Sequence, residues 1–268
     1  MLKFLYHTAA GRNILKVLTN PGVSRICGRF LDSKLSCILI PYFIRKNKID
    51  MSLYQEEVYY SFNDCFSRQI CPQYRPVDMK EDDLIAPCDG LLSAYQIRRD
   101  LVVPVKESRY STFDLLRDRE LAEEFEDGIC LVFRLCVNHY HRYCYPDSGT
   151  KSDNVFLPGI LHTVRPIALR CVPVFTENSR EYTVLQTEHF GKMIQMEVGA
   201  MLVGKIHNYH GAGPIEKGKE KGKFLYGGST IILLLQKDAV HIPDKVFRAT
   251  ENGREIPVVM GQKIGKRK

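Results

Sequence analysis

A chain of 268 residues with 44% hydrophobic and 26% charged side chains can bury a substantial core, which excludes a disordered or fibrous protein. Nine cysteines, odd in number and irregular in spacing, exclude a regular disulfide framework and point to a reducing compartment. The formal charge of +7 lies entirely in residues 1–50, where Lys3, Arg12, Lys16, Arg25, Arg29, Lys34, Arg45, Lys46 and Lys48 meet only Asp32 and Asp50. The rest of the chain is neutral overall, so any anionic partner belongs to this basic arm.

The arm reads as helical. Residues 2–18 offer a short helix with Leu15 and Leu18 on one side. Asn20 then caps a helix that starts on Pro21, and Val23, Ile26, Cys27, Phe30, Leu31, Leu35 and Ile38 recur at spacings of three and four until Pro41. Such a stripe fits a membrane interface, or a helix packed on the protein's own core or a dimer partner; the clustered charge favours the membrane. No apolar run approaches the roughly 20 residues that span a bilayer, and the first residues lack a signal-peptide core. A further helix is expected over about 52–70, with Leu53, Tyr59, Phe62, Phe66 and Ile70 on one face.

From Leu84 onward short apolar runs alternate with Gly, Pro, Asp and Asn. Leu91-Leu92, Leu101–Val103, Ile129–Val137, Tyr182–Gln186, Met193–Val198 and Met201–Ile206 read as strands. One helix interrupts them, capped by Ser111 or Thr112 and carrying Leu115, Leu116 and Leu121. Glu216–Lys223 reads as a charged, solvated loop and Gly265–Lys268 as a disordered basic tail. Between the strand-like runs Lys223–Tyr226 and Ile231–Leu235 lies Gly227-Gly228-Ser229-Thr230. Taken alone it is a glycine-rich hairpin; with a base in reach, Ser229 could attack the Gly228 carbonyl and cut the chain.

Seven segments tip the balance. They are Tyr60–Arg68 with Arg75–Asp78, Ala86-Pro87-Cys88-Asp89-Gly90, Asn138–Tyr143, Gly159–Leu169, Glu188–Lys192, Val198–Ala200 with Val203-Gly204, and the Gly-Gly-Ser-Thr site. In this order and over nearly the whole length, the chain resembles the phosphatidylserine decarboxylases, in the Gly-Gly-Ser-Thr branch. The resemblance implies self-cleavage before Ser229 into chains 1–228 and 229–268, with Ser229 becoming a covalent pyruvoyl group. That cofactor would form a Schiff base with phosphatidylserine and serve as the electron sink for loss of carbon dioxide, giving phosphatidylethanolamine. Asp89 matches the aspartate of the self-cleavage triad, and His141 an active-site histidine. Many members carry a second histidine, the usual base, three residues later; here that position is Cys144. Three solutions stay open: His141 serves both steps, Cys144 shares the work, or His139 reaches in; the first is favoured.

The expected fold is α+β, a mainly antiparallel barrel- or sandwich-like catalytic domain (51–268) behind a basic, membrane-associating helical arm (1–50). Expected partners are phosphatidylserine, an anionic membrane surface and the chain's own two fragments as a heterodimer, with further oligomerisation open. Location is expected to be peripheral, on the cytoplasmic face of the inner or cell membrane. Neither nucleic acid nor a metal is expected: His139, His141 and Cys144, or His207 with His210, lack zinc-site spacing. A pyruvoyl decarboxylase of a free amino acid and a non-enzymatic membrane-binding β module are the rival readings.

Overall fold

The computed structural model describes residues 2–55, 58–98, 111–169, 171–200, 205–225 and 229–268. The expected strands at Leu101–Val103 and over Met201–Gly204, and the residues Tyr226 to Gly228, lie outside these.

Four helices open the chain: α1 (Leu2–His7), α2 (Ala9–Leu18), α3 (Pro21–Leu31) and, after a 3-10 segment at Lys34–Leu39, α4 (Ile40–Asn47). Asn20 caps α3 through its side chain, which accepts from the Gly22 N–H. Pro41 does not end a continuous helix but opens α4, where a missing N–H is harmless. The expected helix over 52–70 is only a short α5 (Phe62–Phe66) capped by Ser61. Around it the chain doubles back, because Tyr54 and Ile70 form an antiparallel bridge. The apolar residues there converge on Phe43 of α4 by looping, so their helical spacing was coincidental.

The strands are β1 (Asp83–Ile85), β2 (Gly90–Gln96), β3 (Ile129–Leu135), β4 (Arg142–Cys144), β5 (Gly149–Lys151), β6 (Val155–Leu157), β7 (Arg180–Thr187), β8 (Lys192–Val198), β9 (Ile206–Asn208), β10 (Gly213–Ile215), β11 (Glu220–Phe224), β12 (Ser229–Leu235), β13 (Val240–His241), β14 (Ile256–Val258) and β15 (Lys263–Arg267). Between them lie α6 (Thr112–Leu116), α7 (Arg119–Glu123), α8 (Pro166–Leu169), α9 (Val174–Glu177) and α10 (Asp244–Glu251). Ser111 and Asp114 form a capping box on α6, and Arg117 in the left-handed region separates α6 from α7.

The main sheet runs β10-β5-β7-β8-β12-β3-β2-β14, with β6 added beside β7. Its pairs are antiparallel, and among the described residues it does not close into a barrel. Two small sheets, β1-β15-β13 and β4-β11-β9, accompany it. Thus Glu216–Lys223 is not simply a loop, nor Gly265–Lys268 a loose tail: each supplies a paired strand.

Every residue of β12 is buried, because both faces of the sheet are covered. Ile232 and Leu234 pack with Val132, Met196, Phe125 and Phe175 on one face, where Leu5, Tyr6 and Leu15 of the arm join them. Ile231, Leu233 and Leu235 pack on the other face with Tyr143, Phe224 and Val246. A third cluster ties Leu31 and Phe43 of the arm to Phe62, Phe66 and Tyr140. The arm is therefore docked on the body.

Its apolar stripe nevertheless points away. On α3 the buried residues are Ser24 and Leu31, whereas Ile26 is 69% exposed. Leu35 and Ile38 beyond it are 77% and 80% exposed. No helix among the described residues is long and apolar enough to cross a membrane.

Candidate active site

The central strands bring Asp89-Gly90, the His139–His141 turn and Ser229 toward one end of the main sheet. Ser229 pairs with Leu135, and Leu91 with Arg134, so Ser229, Leu135 and Gly90 form one row across β12, β3 and β2. Asp89 stands one residue beyond this row, two strands from β12, or about 10 Å by strand spacing. The chain leaving β3 turns at once, with the His139 N–H donating to the Cys136 carbonyl at 2.9 Å, and delivers His141 to the start of β4. The His141 carbonyl accepts from the Phe224 N–H at 2.9 Å, so the histidine is bonded to the strand that leads into the Gly-Gly-Ser-Thr segment. The Cys144 N–H donates to the Pro87 carbonyl at 2.8 Å and joins the Tyr-His-Arg segment to Pro-Cys-Asp-Gly.

Ser229 is 2% exposed, and among the described residues its Oγ has no hydrogen-bond partner. By strand alternation it shares a face with Ile231 and Leu233, the face on which Tyr143 of β4 and Phe224 of β11 pack. A buried hydroxyl without a partner is rare enough to need a reason. Thr230, on the opposite face, also has a buried, unpartnered Oγ1.

His141 is 1% exposed, with its ring 4.1 Å from that of Phe66. Its Nδ1 lies 2.9 Å from the His139 carbonyl. A carbonyl only accepts, so Nδ1 carries the proton and Nε2 holds the lone pair. That Nε2 is buried and has no partner among the described residues. Burial pushes the His141 value down to about 3, with the nearby Arg68 cation adding to the effect, so the ring is neutral through the physiological range.

Asp89 does not hold His141. Its carboxylate is clamped by Arg75, with Nε to Oδ1 at 2.7 Å and Nη2 to Oδ2 at 2.5 Å, and Oδ1 also accepts from the Met260 N–H at 2.9 Å. The orienting group for His141 is instead the His139 backbone. Asp89 acts on the His139 ring, whose value burial lowers and Asp89 partly restores. The His139 Nδ1 accepts from the Cys136 N–H at 3.1 Å.

Cys144 is fully buried, and burial pushes its thiol up to about 12. Its Sγ lies 4.0 Å from the Ala86 carbonyl. Such a thiol stays protonated and packs as a small apolar group. His139 belongs to a turn and β4 begins only at Arg142, so strand alternation does not relate His139 to Cys144.

Arg75, Met260, Phe66 and Arg68 escaped the sequence reading as members of the site. Arg75, Phe66 and Arg68 lie inside matched segments, which was the available signal; the Met260 contact is made by backbone and leaves none. The Glu188–Lys192 segment belongs elsewhere. It forms the β7–β8 turn, with the His189 Nδ1 3.0 Å from buried Asp147, about 20 Å along the sheet from Ser229. Among the described residues no three metal-ligating side chains cluster.

Comparison with known proteins shows the family. A family model described as phosphatidylserine decarboxylase matches residues 62–266. A protein of Clostridium acetobutylicum named phosphatidylserine decarboxylase proenzyme 2 is 43% identical over 265 residues, covering 98% of this chain and 91% of the relative. A phosphatidylserine decarboxylase proenzyme of Clostridium perfringens is 40% identical over 270 residues, covering 98% and 92%. One of Clostridium botulinum is 37% identical over 270 residues, covering 98% and 91%.

Proposed function

The chain belongs to the phosphatidylserine decarboxylase family, and we propose that it is a self-processing, pyruvoyl-dependent enzyme converting phosphatidylserine to phosphatidylethanolamine and carbon dioxide. The observation that carries this reading is the pair of buried, unpartnered polar atoms, Ser229 Oγ and His141 Nε2, on elements that meet at one sheet end.

In the first act His141 Nε2 takes the Ser229 proton, and Oγ attacks the Gly228 carbonyl carbon. The peptide C–N bond breaks as the ester C–O bond forms, and the amine of residue 229 is released. Loss of the Cα proton then expels the Gly228 carboxylate and leaves a dehydroalanine. Its imine tautomer is hydrolysed, releasing ammonia and leaving the pyruvoyl group. The His139 carbonyl fixes the His141 tautomer that can begin this sequence, and Asp89, clamped by Arg75, supports the His139 turn from the neighbouring strand. A buried serine whose hydroxyl has no competing partner among the described residues suits conversion to such a group.

Once formed, the pyruvoyl group supplies an electrophilic carbonyl and an electron sink for decarboxylation. His141, held neutral by burial, is our candidate to carry a proton to and from the substrate carbon. The docked arm presents Ile26, Leu35 and Ile38 outward beside its cations, which supports peripheral attachment to an anionic membrane surface on the cytoplasmic side.

The test is mass measurement together with lipid analysis. Purified protein should comprise chains 1–228 and 229–268, the smaller blocked at its start, and should turn phosphatidylserine into phosphatidylethanolamine. Ser229→Ala should stay whole and inactive. A fully active single chain would overturn the reading, and turnover of free amino acids in place of the lipid would favour the amino-acid decarboxylase.

A further inference from the structure

A cleft of about 360 Å³ lies between α3 and the body. Ser24, Arg25, Gly28 and Arg29 form its helical wall, with Lys205 and Leu225 opposite. Phe156 and Leu161 extend it as an apolar surface. A second, more polar cleft adjoins it, sharing Lys205 and Leu225 and continuing to His207 and Lys223.

Several features mark this space as one built to be filled. A Cβ on Gly28 would meet no atom within 4 Å beyond its own helix, so a glycine is used where the chain needs no left-handed turn. Ser24, only 6% exposed, lines the cleft, and among the described residues its buried Oγ has no hydrogen-bond partner. Arg25 and Arg29 stand one helical turn apart and face Lys205 across the cleft, and among the described residues none of the three makes an ion pair. Asp32, the acidic member of the wall, is engaged by the Asn63 side-chain amide at 2.8 Å. Leu225, which lines both clefts, lies four residues before Ser229 in the sequence.

We propose that this cleft holds the glycerophosphate and the first part of one acyl chain of the phospholipid substrate, an inference that rests on the decarboxylase reading for the identity of that lipid. The phosphodiester lies among Arg25, Arg29 and Lys205, and the acyl chain runs over Phe156 and Leu161. The exposed Ile26 and Phe30 on the outer side of α3 then continue the apolar path toward the bilayer. The adjoining polar cleft leaves the serine headgroup on the side of Leu225. A guanidinium group can take a phosphate through two parallel hydrogen bonds, so two of them one helical turn apart suit a phosphodiester.

The experiment is calorimetric titration of full-length Ser229→Ala protein with dihexanoyl phosphatidylserine below its micelle concentration, so that neither turnover nor a membrane surface contributes. The parent should bind. Adding Arg25→Gln/Arg29→Gln should weaken binding about tenfold or more, the usual loss for charge-assisted hydrogen bonds. Gly28→Leu should do the same by filling the space; if that variant does not fold, the arginine pair decides alone. Glycerophosphoserine should bind more weakly than the dihexanoyl lipid. The pair Arg12→Gln/Lys16→Gln removes equal charge from α2, and a distinctly smaller loss there supports the cleft. No binding by the parent, unchanged binding in both cleft variants, or equal losses from the two charge pairs would each overturn the proposal, the last in favour of general attraction to an anionic surface. Binding without turnover by the wild type would sink the decarboxylase reading and leave the cleft standing.

Discussion

His141 shows how one residue's surroundings set its chemistry. Held neutral down to about pH 3, it keeps an acceptor at Nε2 at pH values where an ordinary imidazole is already protonated. Self-cleavage by the wild type should therefore not decline between pH 8 and pH 5, a course to be followed by mass or gel analysis of freshly folded precursor. His141→Gln should slow it at least about 100-fold, the usual scale for losing a general base. Cys144→Ala should process close to the wild-type rate, because a thiol raised to about 12 supplies no thiolate. The same burial links stability to pH. The folded value of His141 lies below its ordinary 6.5, so the unfolded chain takes up a proton that the native state refuses. Stability is lost as pH falls from 6.5 toward 3, by about 1.4 kcal/mol per unit. In the Ser229→Ala background, His141→Gln should flatten the fall in urea midpoint between pH 6.5 and pH 4. Sequence could supply Ser229, Asp89 and His141 by motif. It could not supply the free Nε2 or the Arg75 clamp, since both depend on residues distant along the chain.

At the level of elements, the runs that were plainly apolar became strands: Ile129–Leu135, Met193–Val198 and Ile231–Leu235 are β3, β8 and β12 side by side. What misled was charge. Lys221 sits in a stretch rich in Lys, Glu and Gly, yet it is fully buried in β11, with Nζ 2.8 and 2.7 Å from the two oxygens of Glu197 and 2.9 Å from Asn208 Oδ1. Burial pushes Glu197 up and Lys221 down, and their mutual attraction opposes both shifts. No local pattern reveals a lysine whose counterion lies on another strand. Glu197 pairs with Ile231, so this ion pair pins the β4-β11-β9 layer to the main sheet two residues from Ser229. Lys221→Met should destabilise by about 3–5 kcal/mol, because it strands a buried carboxylate. Lys221→Met/Glu197→Gln should recover most of that loss in urea unfolding of the Ser229→Ala chain. Recovery of none would mean that the lysine acts by shape and not by charge.

At the scale of the molecule, the arm divides its apolar residues between two tasks. Leu5, Leu15, Leu31 and Phe43 anchor it to the body, while Ile26, Leu35 and Ile38 remain outside beside the cations. Periodicity located the stripe but left its direction open between membrane and core; the inward positions of α3 are Ser24 and Leu31, and Ile26 faces out. Electrostatic attraction to an anionic surface is worth about 1 kcal/mol per nearby cation and is screened by salt, whereas apolar insertion is not. Co-sedimentation with anionic vesicles should therefore weaken with salt without vanishing. Leu35→Ser/Ile38→Ser should remove the salt-resistant part while leaving processing intact, since neither side chain is buried. Salt-resistant binding that survives this change would move the membrane contact to the body.

The segment after Ser229 is threaded through the whole architecture. It supplies β12 at the middle of the main sheet, β14 at that sheet's edge, and β13 and β15 in the small sheet with β1. Its Met260 N–H also holds Asp89. A cut before Ser229 leaves these pairings in place but removes the covalent memory that two strands belong to one chain. Folding thus has to precede cutting, and afterwards renaturation becomes an encounter between two molecules. On dilution from urea, the regain of native structure by the processed protein should fall as protein concentration is lowered, while Ser229→Ala should refold to the same extent at every dilution.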